Sequence, residues 1–341
     1  MAKNADLGDS LKVIMAAATD TGTVRKQNED SFYFSEKYQF FILCDGMGGH
    51  NAGRLAARTA AETLKDVLRQ EKFIDVDRIC EDIDERLPNP AMKLIASVRL
   101  ANRRIFNYAI KYPQYKGMGT TLVAALIDNG WLYIAHVGDS RLYRLRQGEL
   151  KVLTSDHSYL RELIEDRELS EKEAWQFRQK NVLTRAVGIA PNIKIDLCMD
   201  AALPNDLYLL CSDGMYGALP NELILRVLTA DHGSLQKTVD RLVNYAKNLD
   251  GSDNITAGTI LVQDSTPPAR HVSLVTKTIA AESGKVSSYL DRFIKKSYPE
   301  PVEKKKFKVP LVAGLLLLLA IGIFALVFYF GGSTPETSEA S

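Results

Sequence analysis

Between Val13 and Val262 the chain alternates short apolar runs with longer stretches of helical periodicity. The runs MAAATD (15–20), FYF (32–34) and QFFILCD (39–45) are short and bounded by polar residues, so they predict strands. GRLAARTAAETLKDVLRQ (53–70) spaces its apolar residues three and four apart and predicts an amphipathic helix. A second helical stretch covers 74–86, and a third, AMKLIASVRLANRRIFNYAIKY, covers 91–112. Strands follow at 120–127, 131–137 and 141–146, separated by turn signals at Asp128-Asn129-Gly130 and Gln147-Gly148. A polar helical region spans 157–180. Strands return at 193–199 and 207–212, helices at 220–230 and 233–248, and a last strand at 254–262. Many strands succeed one another through short turns, which favours antiparallel pairing over βαβ units and predicts an α+β layered sandwich.

The pattern changes at both ends. Residues 1–12 read as a flexible leader without the apolar core of a secretory signal, and 13–263 as one folded domain. Residues 264–308 carry Pro267-Pro268, Ser and Lys and read as a basic linker; within it AAESGKVSSYLDRFIKK can form a short helix with Val286, Tyr289, Leu290 and Phe293 on one side. Residues 309–330, VPLVAGLLLLLAIGIFALVFYF, are 22 positions without a charge. A helix of that length spans about 33 Å, enough for a hydrocarbon core, and its apolar surface goes all round. It predicts one C-terminal transmembrane helix. Lys304, Lys305, Lys306 and Lys308 flank it on one side, while the tail 331–341 has no basic residue. The positive-inside rule then predicts a single-pass protein of the cell membrane, with the large domain cytoplasmic and a short extracytoplasmic tail.

Charge adds one point. The net value of +1 gives no whole-chain signal for a nucleic-acid partner, and none is expected. It divides as +6 over 265–308, −2 over 331–341 and hence −3 over 1–264, a slightly acidic domain on a basic, membrane-facing linker. Cys44, Cys80, Cys198 and Cys211 have no metal-type spacing, and three of them sit in strand-like runs, as buried thiols of a reducing compartment do.

The candidate chemistry lies at strand ends. Asn28-Glu29-Asp30, Asp45-Gly46-Met47-Gly48-Gly49, Gly138-Asp139-Ser140-Arg141, Ser212-Asp213-Gly214 and Ser252-Asp253-Asn254 each end or interrupt an apolar strand with Asp. One such segment is an ordinary turn. Five of them suggest carboxylates that converge, and converging carboxylates need cations to hold them together. An all-oxygen ligand set suits Mg²⁺ or Mn²⁺ rather than zinc, and glycine beside aspartate lets a carbonyl join the set.

The segments TDTGTVRKQNEDSFYF, FFILCDGMGGHNAG, GMGTTLVAALI, LYIAHVGDSRLYRL, LTSDHS, LYLLCSDGMYG and GSDNITAGTILV stand in the order found in the metal-dependent protein phosphatases, the PPM or type 2C family. The resemblance covers about 13–263, and DGMGGH and HVGDSRLY resemble the bacterial branch. It implies a four-layer α-β-β-α sandwich of two antiparallel sheets flanked by helices, with a metal centre at one edge. It implies two to three Mn²⁺ or Mg²⁺ ions per domain. Asp45 would bridge two of them, Asp213 and Asp253 would complete the first, and the Gly46 carbonyl would serve the second. Glu29 and Asp30 would act through bound waters, Asp139 with Asp213 would form a third site, and Arg25 would hold the substrate phosphate. The reaction implied is hydrolysis of phosphoserine and phosphothreonine in proteins, by in-line attack of a metal-bridging hydroxide. The catalytic set expected is Arg25, Asp45, Asp213 and Asp253.

One departure concerns the general acid. Many eukaryotic members place a histidine directly after the metal-binding Asp-Gly; here Met47 stands there, and His50 comes three residues later. His136 and His157 read as packing or loop hydrogen-bonding residues; the resemblance implies that 156–181 correspond to the mobile flap of bacterial members, with Arg185 near it. The expected partners are phosphorylated proteins, among them a transmembrane Ser/Thr kinase that the enzyme would oppose at the membrane. Two other readings are a catalytically inactive, membrane-tethered phosphoprotein-binding scaffold and a hydrolase of small phosphorylated metabolites.

Overall fold

The computed structural model describes residues 12–49, 51–69, 74–83, 86–166, 182–231, 233–264 and 274–298. In chain order the strands are β1 (Lys12–Asp20), β2 (Ser31–Ser35), β3 (Phe40–Cys44), β4 (Gly46–Met47), β5 (Gly119–Thr120), β6 (Leu122–Asp128), β7 (Trp131–Val137), β8 (Arg141–Arg146), β9 (Glu149–Val152), β10 (Ile195–Ala201), β11 (Leu207–Cys211), β12 (Ile255–Asp264) and β13 (Val275–Ile279). The helices are α1 (Ala52–Leu68), α2 (Val76–Ile79), α3 (Asn89–Lys111), α4 (Tyr159–Glu165), α5 (Asp213–Tyr216), α6 (Asn221–Thr229), α7 (Leu235–Leu249) and α8 (Gly284–Ser297).

Two antiparallel sheets carry the fold, in the orders β1-β12-β11-β8-β9 and β13-β10-β7-β6-β3-β2. The side-chain period of two decides how they meet. Met15, Leu142, Tyr208, Leu210 and Ile260 from the first sheet pack against Phe41, Leu43, Val123 and Ile134 from the second, and all are buried. The sheets approach so closely that Gly258 on β12 has no room for a side chain: a Cβ there would lie 2.0 Å from Phe41 Cζ. The other face of the five-stranded sheet buries Leu209, Cys211 and Ala257 under Leu242, Val243 and Ala246 of α7 and Ile224 of α6.

Helices α1 and α3 cover the opposite side, against β2, β3, β6, β7 and β10. The alanine positions Ala52, Ala56, Ala57, Ala60 and Ala61 make the buried stripe of α1, and such small side chains let it lie close to its neighbours. Strand β3 is buried along its whole length, since it is covered on both faces.

Several expectations need correction. Strands β9 and β13, polar strands at the sheet edges, were not foreseen. The helix expected over 74–86 is only the single turn α2. The linker expected over 264–308 begins later than the composition suggests. Strand β13 pairs with β10, Val286 and Leu290 of α8 are buried, and the compact unit runs to Ser297. Of the polar helical region at 157–180, α4 is described and 167–181 lie outside the described residues. The leader up to residue 11, the membrane helix at 309–330 and the tail at 331–341 also lie outside them. Among the described residues no helix is long and apolar enough to cross a membrane.

Candidate metal centre

Every predicted acidic ligand sits at an end of a strand, and the strands come from both sheets. Asp45 directly follows β3 and is clipped to the start of β6. Its N–H donates to Thr121 Oγ1 at 2.9 Å, and its carbonyl accepts from the Thr121 N–H and Thr120 Oγ1, each at 2.8 Å. Asp213 opens α5 one residue after Ser212, which ends the β11 connection. Asp253 precedes β12, and the Asn254 beside it acts as a clasp. Asn254 Oδ1 accepts from the Glu29 N–H at 2.8 Å, and Asn254 Nδ2 donates to the Thr21 and Gln27 carbonyls, both at 3.0 Å. That clasp brings the Glu29-Asp30 segment to the ends of β11 and β12.

Asp30 lies behind the others. Its Oδ2 accepts from Thr256 Oγ1 at 2.6 Å and Ser212 Oγ at 3.0 Å. Asp45 lies within hydrogen-bonding reach of both Asp30 and Asp213. Arg25, Glu29, Asp45, Gly46, Asp139, Asp213 and Asp253 then line a single cleft of about 650 Å³. Glu29 and Gly46 are packed against α1: a Cβ on Gly53 would lie 2.6 Å from Glu29 Oε2 and 2.7 Å from the Gly46 carbonyl oxygen. At the cleft mouth Arg25 Nη2 donates to Asp253 Oδ2 at 2.7 Å.

The electrostatics follow from burial and like charge. Desolvation raises the Asp45 carboxyl well above its ordinary range, and the charges of Asp30, Asp213, Asp139 and Asp253 push the same way. Asp30 and Asp213 are raised, first by burial and then by neighbouring carboxylates. Burial, with the charges of Asp213 and Asp156, lifts Asp139 to about 7. Asp30 Oδ1 and Asp213 Oδ1 are buried oxygens that accept no hydrogen bond. Abutting carboxylates with donorless buried oxygens need a proton or a cation between them. The donors are all oxygen, which fits a hard divalent ion such as Mn²⁺ or Mg²⁺. The cysteines offer no competing chemistry. Cys44 and Cys211 are buried beside this cluster, and burial pushes both thiols far above the range in which they ionise.

The whole expected set is thus brought together, with Asp30 in the layer behind the cleft. Met47 also lines the cleft, while His50 lies outside the described residues. Sequence reasoning did not assign the residues that position this set: Thr120 and Thr121, Ser212 and Thr256, and Asn254. Their signal was present in the segments GMGTTL, CSDG and GSDNIT, where hydroxyl and amide side chains adjoin or lie near the expected ligands. Arg185 lines the cleft as well.

Comparison with known proteins agrees with this geometry. The sequence profile of the protein phosphatase 2C family matches residues 23–249. The serine/threonine phosphatase stp of Listeria innocua is 34% identical over 241 residues, which is 70% of this chain and 91% of that protein. The serine/threonine protein phosphatase PstP of Mycobacterium tuberculosis is 34% identical over 241 residues, 71% of this chain and 43% of that longer protein. The crystal structure of the latter, PstP/Ppp, superposes with a TM-score of 0.65 at 33% identity, covering 74% of this chain and all of that one. The PstP catalytic domain in complex with 2 manganese ions gives a TM-score of 0.64 at 33% identity, covering 75% of this chain and 100% of that one.

Proposed function

The chain belongs to the protein phosphatase 2C family, and from that premise we propose how its cleft works and where it works. It is a protein serine/threonine phosphatase that uses Mn²⁺ or Mg²⁺. The observation that carries this reading is the convergence of Asp45, Asp139, Asp213, Asp253, Glu29 and the Gly46 carbonyl in a cleft that also holds Arg25.

In this proposal Asp45, Asp213, Asp253 and the Gly46 carbonyl hold two divalent ions. Glu29 would act through the surrounding waters, Asp30 would brace Asp45 from the layer behind, and Asp139 with Asp213 would offer a third position. When bound, the ions supply Lewis acidity and lower the pKa of a coordinated water toward neutrality. The chain's own residues do the rest. Arg25 orients the phosphoryl group by charge-assisted hydrogen bonds, since its guanidinium sits at the mouth and can turn from Asp253 to a phosphate. Thr121 and Asn254 hold the ligand-bearing backbones, so that the carboxylates need not reorganise as substrate binds. With its thiols buried, the chain presents no cysteine to the cleft for a covalent phosphoenzyme.

The test is hydrolysis of a phosphothreonine peptide with Mn²⁺ by the Asp213→Ala variant. Ligand loss should lower the rate by at least about a hundredfold, because outer positioning residues alone are worth 10- to 100-fold. Unchanged turnover would defeat the assignment. Peptide that the unmodified protein binds in calorimetry but never consumes would favour the scaffold reading instead.

The setting is also a proposal: a single-pass protein of the cell membrane, with its catalytic domain on the cytoplasmic side. The support is the 22-residue uncharged run at 309–330 and the four lysines between 304 and 308. Tethering raises the effective concentration of membrane-bound substrates, among them transmembrane Ser/Thr kinases. If a chain ending at Ser297 dephosphorylated such a kinase in cells as fast as the full chain, tethering would have no part in substrate choice.

A further inference from the structure

We infer that His157 and Asp196 form a positioning pair that locks the Asp139 corner of the cleft to Arg185; the inference rests on the phosphatase reading of that cleft. His157 follows β9 and is buried. It grips Gly138, the residue before Asp139, from two sides. The His157 backbone N–H donates to the Gly138 carbonyl at 2.8 Å, and the Gly138 N–H donates to His157 Nδ1 at 3.1 Å. Gly138 has φ +105, and a Cβ there would lie 2.7 Å from Thr121 Cβ. The turn that presents Asp139 is therefore pinched between His157 and the threonine that holds the Asp45 backbone.

The ring then reaches outward. Because Nδ1 accepts a backbone hydrogen bond, the ring proton belongs on Nε2, and Nε2 lies 3.0 Å from Asp196 Oδ2. Asp196 Oδ1 accepts from Arg185 Nη1 at 3.0 Å and from Thr278 Oγ1 at 2.8 Å. Arg185 lines the same cleft as the carboxylates. Its segment is tied to the histidine by backbone as well, since the Thr184 N–H donates to the His157 carbonyl at 2.9 Å. One side chain thus connects the β7–β8 turn, strand β10 and the segment that carries Arg185.

His136, His157 and Asp196 bring potential metal-ligand atoms within 4.8 Å of one another, and both ring nitrogens of His136 are buried without a hydrogen-bond partner. The cluster nevertheless already has its cation. The Arg185 guanidinium lies 3.3 Å from His157 Nε2 and 3.0 Å from Asp196 Oδ1, where a metal would have to bind. Its charge balances Asp196 and opposes a second cation. The arrangement therefore serves to orient, not to ligate.

The experiment combines nuclear magnetic resonance with metal titration. In the unmodified, metal-free protein the ring ¹⁵N shifts of His157 should show the Nε2–H tautomer, and the Gly138 amide should exchange slowly. In His157→Phe, Gly138 exchange should accelerate at least about tenfold. The weakest Mn²⁺ binding step seen by calorimetry should weaken about tenfold, as outer-shell changes do, with the tighter steps retained. His157→Asn keeps an acceptor near the Nδ1 position but cannot reach Asp196. It should restore Gly138 protection and Mn²⁺ affinity, while leaving KM for a phosphothreonine peptide raised, because Asp196, which holds Arg185, has lost its Nε2 donor. An Nδ1–H tautomer in the unmodified protein, or Gly138 exchange and Mn²⁺ binding unmoved in His157→Phe, overturns the inference. The tautomer measurement needs no variant, so misfolding of a variant cannot hide the answer. Failure of the unmodified protein to hydrolyse the peptide would strike the phosphatase reading alone, because the amide and tautomer measurements are made without turnover.

Discussion

Arg25 and Asp253, 228 positions apart in the chain, meet at the mouth of the cleft with 2.7 Å between Nη2 and Oδ2. The pair is half open to solvent, with 55% of the arginine side chain exposed, so it does little for stability. Its value is directional: it parks a guanidinium beside the carboxylates at the place where an anion would enter. Arg25→Ala should raise KM for a phosphothreonine peptide, with kcat/KM falling roughly 10- to 100-fold, the worth of one charged hydrogen bond. Arg25→Lys should recover only part of this, since it loses the two-pronged geometry. Steady-state kinetics at saturating Mn²⁺ check it; an unaltered KM in Arg25→Ala removes the residue from substrate binding.

The raised carboxyls make metal-free stability depend on pH with a definite sign. Asp139 titrates near 7 in the folded protein against an ordinary value of 3.8, and Asp30, Asp45 and Asp213 are shifted in the same direction. Between those values the folded state binds protons that the unfolded state has released, so stability falls as pH rises. The contribution is fully present below about 3.8 and lost once pH passes about 7. With the metal chelated, these groups should make the protein melt lower at pH 8 than at pH 5.5. Mn²⁺ should raise the melting temperature much more at pH 8, and its binding should release protons. Calorimetry in buffers of different ionisation enthalpy measures both. A Mn²⁺ effect that is larger at pH 5.5 would contradict the electrostatic account.

Gly258 tests the seam between the sheets. The Cβ of Gly258→Ala would meet the Phe41 ring at 2.0 Å, and both sides of that contact are buried. Overpacking of this kind costs about 1–3 kcal/mol. Urea unfolding should report that loss, while kcat per folded molecule stays near normal, because the contact lies between the sheets and away from the cleft lining. Unchanged stability would mean that the sheets are less tightly apposed than described.

The segment after β12 is part of the fold. Arg99 is buried and donates to the Ile79 carbonyl at 2.7 Å and to the Ala280 carbonyl at 3.1 Å, while Arg103 Nε donates to Asp291 at 2.6 Å. A chain ending at Asp264 strips away the Ala280 and Asp291 acceptors and uncovers α3. It should be less stable than a chain ending at Ser297 by at least about 2 kcal/mol, the cost of leaving buried polar groups unpaired. Equal denaturant midpoints for the two chains would show that β13 and α8 are passengers.

What the sequence determined by itself was everything that depends on near neighbours. Apolar periodicity placed α1, α3, α7 and most strands, because burial of one face imposes a local repeat. Aspartates at strand ends, three of the four beside a glycine, marked Asp45, Asp139, Asp213 and Asp253 as a set, and their oxygen chemistry named the class of metal. Strands β9 and β13 escaped, since ELKV and VTKTI are polar enough to be loops and are held only by pairing at sheet edges. Tertiary structure alone decided how the set is positioned. Thr121 lies 76 positions from the Asp45 it holds, and Asn254 lies 225 from Glu29. His157 reaches Asp196 and Arg185 across three separate segments. A hydrogen bond joins whichever groups the packed sheets bring to within 3 Å or so, and no pattern in a linear chain records that distance.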